Sequence, residues 1–167
     1  VLILVSDTPL GQSLTEPLQK LRRHEVEQLT RSACRWKSER QAKKSVVRAK
    51  CEVVVDLRVE AAADGSDQLQ ELDLKRCHWV AKACQRGAIT YLFVSSSRVF
   101  SGQLDRPYRE EDYPDNETTL GELLVEAEQL VRVSCERFLI LRLGPVFSAA
   151  GPNLITQMLS QLRQEGG

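Results

Sequence analysis

The sequence predicts an α/β fold, a doubly wound parallel sheet of Rossmann-like type in three layers, α/β/α. Three observations carry this expectation. Short apolar runs rich in β-branched residues recur along the chain: VLILV (1–5), CEVVVDL (51–57), AITYLFVSS (88–96) and FLILRLG (138–144). Longer stretches with helical spacing lie between them. Strands that are apolar on both faces, each followed by a helix, require a parallel sheet covered on both sides. Right-handed crossovers then wind the chain in both directions from the first strand.

Element by element, VLILV reads as a buried first strand. Residues 11–21 place Leu14, Leu18 and Leu21 at helical spacing, with Pro17 expected to shorten or kink that helix. HEVEQLTR (24–31) alternates like a strand, and 34–50 read as a polar helix. The second buried strand is 51–57. Residues 68–86 form a helix with Leu69, Leu72, Cys77, Val80, Ala81 and Cys84 as its apolar positions. The run 88–96 is the clearest strand. A polar loop (101–117), a helix (118–134), a strand (138–144) and a last helix (152–164) complete the series. The expectation is a single Rossmann-like domain over 1–167. The start inside an apolar run and the close on EGG read as parts of a longer protein.

Composition narrows the function classes. A chain of 167 residues buries roughly 70% of its unfolded surface, enough for a core. Apolar content of 42%, charged content of 28% and zero net charge describe an ordinary globular protein without a global field for nucleic acid or membrane. No apolar run approaches the ~20 residues of a bilayer span. The five cysteines (Cys34, Cys51, Cys77, Cys84, Cys135) include no CxxC pair and read as reduced thiols, so a cytoplasmic location is expected. His24 and His78 lie far apart, and no metal-ligand spacing occurs.

In such sheets ligands sit beyond the carboxyl ends of the strands. The loops that matter are therefore 6–11, 30–34, 56–66, 95–102 and 143–152. The first, SDTPLG, stands where a dinucleotide fold carries GxGxxG or GxxGxxG. It holds one glycine, Gly11, and reads as shorter than that motif. Ser6, Asp7 and Thr8 suit helix capping as well as a degenerate phosphate loop. Arg31, in LTRS (29–32), sits where an arginine accommodates a 2′-phosphate, which favours NADP over NAD; a solvated arginine reads equally well. Ser95 and Ser96, in SSSRVFSG (95–102), offer hydroxyls at a strand end, or simply a serine-rich turn. The basic run over 31–50 reads as a solvated helix face ahead of a nucleic-acid contact. The acidic loop PYREEDYPDNE (107–117) reads as solvated ahead of a metal or acid–base site.

Several of these segments fall in a familiar order. GAITYLFVSSSRVFSG (87–102), RPYREEDYP (106–114), LGELLVEAEQLV (120–131) and LILRLGPVFSAAGPNLITQML (139–159) resemble the extended short-chain dehydrogenase/reductase superfamily, of NAD-dependent epimerase/dehydratase type. The nearest group is that of dTDP-4-dehydrorhamnose reductase, to which the regulatory β subunit of methionine adenosyltransferase also belongs. The resemblance implies NADP or NAD as cofactor and a nucleotide-sugar as substrate. It implies Ser96 as the catalytic hydroxyl and Ser6, Thr8, Gly11, Arg31 and Ser95 as cofactor contacts. It also places Leu120 where the family's catalytic tyrosine stands, Leu124 at its lysine and Glu128 at the glutamate of the same motif. Asp56, Leu57 and Arg58 stand where small residues line the cofactor. Leucine donates no proton, and losing a general acid costs on the order of 10²–10⁴-fold in rate. The expectation is a degenerate member that binds or acts on nucleotide-sugars. The alternative is a non-catalytic regulatory or interaction subunit with a homo-oligomeric or protein partner. No metal, membrane or nucleic acid is expected.

Overall fold

The computed structural model describes residues 1–61, 69–146 and 154–165. Its elements are β1 (Leu2–Leu4), α1 (Pro9–Lys20), β2 (Glu27–Leu29), α2 (Glu39–Arg48), β3 (Val53–Asp56), α3 (Arg58–Ala61), α4 (Glu71–Gly87), β4 (Thr90–Ser96), α5 (Thr119–Ser134), β5 (Phe138–Leu143) and α6 (Leu154–Glu165). A 3-10 turn at Ser97–Val99 follows β4. The five strands form one parallel sheet in the order β2-β1-β3-β4-β5. The expected fold class is therefore the observed one. The chain moves one way from β1 to β2 and the other way from β3 onward, so the switch point lies between β1 and β3, where a ligand crevice is expected.

The departures from the sequence reading have local causes. α1 begins at Pro9 rather than residue 11, because Thr8 caps it and proline suits the first helical turn. It runs through Pro17 to Lys20, so the proline neither shortens nor ends it. β2 has only three residues, since an outer strand with exposed Glu27 and Gln28 buries little. α2 starts at Glu39, five residues later than expected, with Ser38 in the N-cap position. The preceding stretch turns inward and buries Cys34 and Trp36. α4 opens on a capping box made by Gln70 and Asp73. Parts of the expected loops 56–66 and 143–152, and the first residue of the expected helix 68–86, lie outside the described residues.

The core lies between the sheet and the layer formed by α2, α4 and α5. Leu2, Leu4, Val54, Tyr91, Phe93, Leu57 and Leu124 are fully buried there, each worth ~1.5–3 kcal/mol of apolar burial. Glu39 of α2 ties the layer together by receiving Lys82 at 3.2 Å and Arg86 at 3.0 Å from α4. The exposed basic residues Arg40, Lys43, Lys44 and Arg48 lie on the solvent side of α2, as a solvated face does. β5 is the other outer strand, and Leu139 and Leu141 on it are exposed. No helix among the described residues is long and apolar enough to cross a membrane.

Candidate functional site: the switch-point crevice and the entry of α5

The first loop begins one residue earlier than the sequence suggests. Val5, at the end of β1, adopts φ +61°, the left-handed region where a β-branched residue is a genuine outlier. Thr8 lies three residues on and Gly11 three further, so the turn keeps the length and spacing of GxxGxxG with Val5 and Thr8 in the first two glycine positions. Gly11 keeps its reason to be glycine: a Cβ there would lie 2.7 Å from the Ser6 Cα and carbonyl oxygen. Thr8 Oγ1 donates to the Val5 carbonyl at 3.2 Å and accepts the Gly11 N–H at 3.1 Å. Pro9 has no N–H to give. Two of the donors that a pyrophosphate takes from a helix N-terminus are thus used or missing.

The second strand end is stitched to the first. The Ser6 N–H and hydroxyl both donate to the Leu29 carbonyl, at 3.0 and 3.3 Å. Asp7 Oδ1 accepts the Arg31 N–H at 2.7 Å, which places a carboxylate beside the loop that meets a cofactor's ribose in dinucleotide folds. Of the residues the sequence nominated here, Ser6, Thr8, Gly11 and Arg31 stand on the two loops joined by these bonds: Thr8 bonds Gly11, Ser6 bonds Leu29 and Arg31 bonds Asp7.

At the end of β3 the chain buries an ion pair. Asp56 is fully buried and receives the Arg58 guanidinium through Nε and Nη2, while Tyr91 Oη donates to it at 2.6 Å. Burial pushes the Asp56 pKa up, but Arg58 and the Tyr91 hydroxyl outweigh it and hold the carboxyl below its ordinary value. Arg58 lies 5.3 Å over the Trp36 ring, and the Trp36 carbonyl accepts Arg76 Nε from α4 at 3.0 Å. Nothing in the local sequence pattern signals that a nonlocal tyrosine completes this cluster.

At the other end of the crevice, β4 runs into the 3-10 turn. Ser96 Oγ accepts the Arg98 N–H at 3.3 Å and caps that turn. Ser95 is fully buried and shares the sheet face of its neighbour Arg142, the α5 side, while strand alternation sends Ser96 to the opposite face.

α5 enters on a Thr118 cap, whose Oγ1 accepts the Gly121 N–H at 3.1 Å. A Cβ at Gly121 would lie 2.5 Å from the Asn116 carbonyl, and that close approach lets the incoming loop lie on the helix. Asn116 in turn donates to the Arg98 carbonyl at 2.7 Å. Leu120 is half-buried and Leu124 is 0% exposed, packed in the core. Glu128 is buried and forms a forked pair with Arg142 of β5, at 2.9 and 2.7 Å. Arg142 also lies 5.0 Å over the Phe100 ring. The glutamate therefore fastens α5 to β5.

The acidic loop is built rather than merely solvated. Asp112 takes a two-pronged bond from Arg106 at 2.7 Å each and the Arg109 N–H, which hold its carboxyl well below the usual range. Asp115 accepts from the Ser101 N–H and hydroxyl at 2.7 Å, and Tyr108 stacks on Phe100 with centroids 4.2 Å apart. No metal-binding cluster of His, Cys, Asp and Glu occurs among the described residues.

These residues do not fit a dinucleotide in the arrangement described. The pyrophosphate turn carries two side chains in place of glycines, an acid and a proline, and its Ser6 and Gly11 N–H groups are spent on the protein itself. The end of β4 offers the Ser96 hydroxyl, and Leu120 and Leu124 at the α5 positions supply neither a proton donor nor a cation.

The comparisons with known proteins agree with the architecture. The family model described as the RmlD substrate binding domain matches residues 1–166. A spore coat polysaccharide biosynthesis protein, SpsK of Bacillus subtilis, is 28% identical, over 99% of this chain and 60% of its own length. Among solved structures, the dTDP-4-dehydrorhamnose reductase of Bacillus anthracis in complex with NADP superposes with a TM-score of 0.83 at 18% identity, covering 98% of this chain and 60% of that one. The enzyme of the same name from Yersinia enterocolitica gives 0.75 at 20% identity over 98% of this chain and 59% of its own. The chain thus spans about 60% of the length of these relatives. With the doubly wound sheet, the GxxGxxG-length turn and the α5 entry in register, the chain belongs to the RmlD substrate binding domain family.

Proposed function

We propose that this chain is a non-reducing member of its family, a nucleotide-sugar-binding scaffold without ketone reduction. The observation that carries the reading is Leu124, wholly enclosed by the core where the family resemblance puts a lysine. Reduction of a ketone needs a proton at the carbonyl oxygen, and tyrosine, with an ordinary pKa near ~10, gives one at neutral pH only beside a cation. Leu120 and Leu124 supply neither group. Ser96 can donate a hydrogen bond to a carbonyl, but it is too weak an acid to protonate one. The intact protein, incubated with NADPH and a 4-keto nucleotide-sugar, is expected to leave nicotinamide absorbance at the blank rate. Robust turnover that disappears in Ser96→Ala would sink the reading.

A regulatory or protein-interaction role is the second reading. Exposed Leu139 and Leu141 on β5, Val146 just after it and Met158, Leu159 and Leu162 on α6 favour it, since exposed apolar side chains suit a protein partner. Co-purification of the intact protein with one stoichiometric partner, lost on Leu139→Asp with Leu141→Asp, is the expected outcome. A strictly monomeric, partnerless protein counts against it. Five free thiols accord with a reducing, cytoplasmic setting.

A further inference from the structure

We propose that the segment between β2 and α2, residues 30–38, is a built-in plug that occupies the adenosine end of the switch-point crevice and keeps a dinucleotide out. The route of the chain makes this segment a bridge. β2 lies at one edge of the sheet, whereas α2 packs against α4 on the layer that covers β3 and β4. The connection must cross the carboxyl end of β1, the place a dinucleotide enters in a doubly wound fold.

What crosses there is bulky and fixed. Cys34 is 2% exposed, and the Val5 backbone, Arg58, Asp56 and Asp7 all act on its thiol, which sets it among the ends of β1 and β3. Its N–H is held by the Thr30 and Arg31 carbonyls, at 3.1 and 3.2 Å, which closes 30–34 into a tight turn. Trp36 is 5% exposed, donates Nε1–H to Ser45 Oγ at 3.1 Å and lies on Arg58. Asp7 latches the segment to the first loop through the Arg31 N–H. The Ser6 and Asp7 side chains thereby join the ends of β1 and β2, and Trp36 brings the segment onto Arg58 at the end of β3. The mismatch between the first loop and a pyrophosphate has the same sense: this end of the crevice is filled from within.

The plug is independent of the reading that α5 has lost its chemistry, and the two fail separately. Turnover of a 4-keto nucleotide-sugar would remove the latter whatever Cys34 does. The plug is tested by alkylation of the intact protein with iodoacetamide, read at each cysteine by peptide mass spectrometry, with and without NADPH. Burial, the main cause, raises the Cys34 pKa to about 11, so the closed segment leaves little thiolate to react. Cys34 is expected to react as slowly as the enclosed Cys77. It should react several-fold faster in Asp7→Ala, an exposed change that removes the latch without touching the core. Trp36→Ala, checked for folding by circular dichroism, is expected to raise the Cys34 rate in the same way. NADPH binding by the natural protein with Cys34 alkylation unchanged would overturn the plug. A folded Trp36→Ala in which Cys34 stays as slow as Cys77 would overturn it too. Should Trp36→Ala not fold, the Asp7→Ala rate decides: a faster Cys34 reaction supports the plug, and an unchanged rate overturns it.

Discussion

The turn after β1 and the entry of α5 differ from a glycine-rich loop and a Tyr-x-x-x-Lys helix in different ways. Both keep one glycine that a close backbone approach demands, Gly11 against Ser6 and Gly121 against Asn116. In the turn, the shape persists under strain: Val5 holds a left-handed backbone that glycine would adopt freely. At α5 the shape persists without strain. Leu120 and Leu124 are good helix formers, and Leu124 adds to the core. The lesson is that a site can be emptied either by making its residues pack better or by forcing a poor residue into a retained geometry. Only the second leaves a mark on the backbone.

The contrast can be broken by putting chemistry back. Leu124→Lys should be the most damaging change, because an ammonium in a fully enclosed position costs at least ~3 kcal/mol after relaxation. Urea unfolding measures it, and a loss below ~1 kcal/mol would mean that the position opens to solvent.

Next in size is Asp56→Asn. It leaves Arg58 buried without its counter-charge, at an expected cost of about 3–5 kcal/mol. The same pair sets a pH dependence. The Asp56 pKa is lower folded than unfolded, so its contribution is complete above the unfolded value near ~4 and drains away as pH falls through the folded one. The urea midpoint of the natural protein should therefore fall on acidification, and Asp56→Asn should lack that part of the fall. Equal slopes would show that Asp56 carries none of it.

Gly121→Ala and Gly11→Ala follow, each expected to cost about 1–3 kcal/mol as backbone must shift to admit a Cβ. Gly121→Ala should also free the 100–117 loop, seen as faster amide exchange at Ser101 and Asn116.

The smallest effect is the most discriminating. Val5→Ala and Val5→Gly both remove the two buried γ methyls, and glycine alone also loses Cβ and with it the left-handed strain, worth roughly 1–2 kcal/mol for an L residue. Val5→Gly should therefore be the more stable of the two by about 1 kcal/mol even after its greater unfolded-state entropy is counted. The reverse order would mean that Val5 sits there unstrained.

The sheet and most of its helices were legible because their signals are local. VVVD and TYLFVSS read as buried strands and became β3 and β4, and the apolar face of 118–134 became α5 within a residue. That Leu120, Leu124 and Glu128 share one helix was equally readable, since their four-residue spacing lies within it. The inward turn of Cys34 and Trp36 was not, because eight basic residues around them mimic a solvated helix. Val5 was hidden for the opposite reason: valine belongs in strands, so nothing in VLILV announces a positive φ. The pairs Glu128–Arg142 and Asp56–Tyr91 join residues 14 and 35 positions apart, and only the folded register brings them within reach.

β5 has a consequence for handling the protein. An outer strand offers a row of unpaired backbone donors and acceptors, and here Leu139 and Leu141 make its flank sticky as well. Arg142 is drawn toward Glu128, so it gives the strand little electrostatic protection. With a sequence pI near 6.9 and no net charge at pH 7, repulsion between molecules is weakest near neutrality. Colloidal self-association through this rim, rather than unfolding, should limit concentrated neutral solutions, and a buffer a unit or more from the pI should hold the chain in solution.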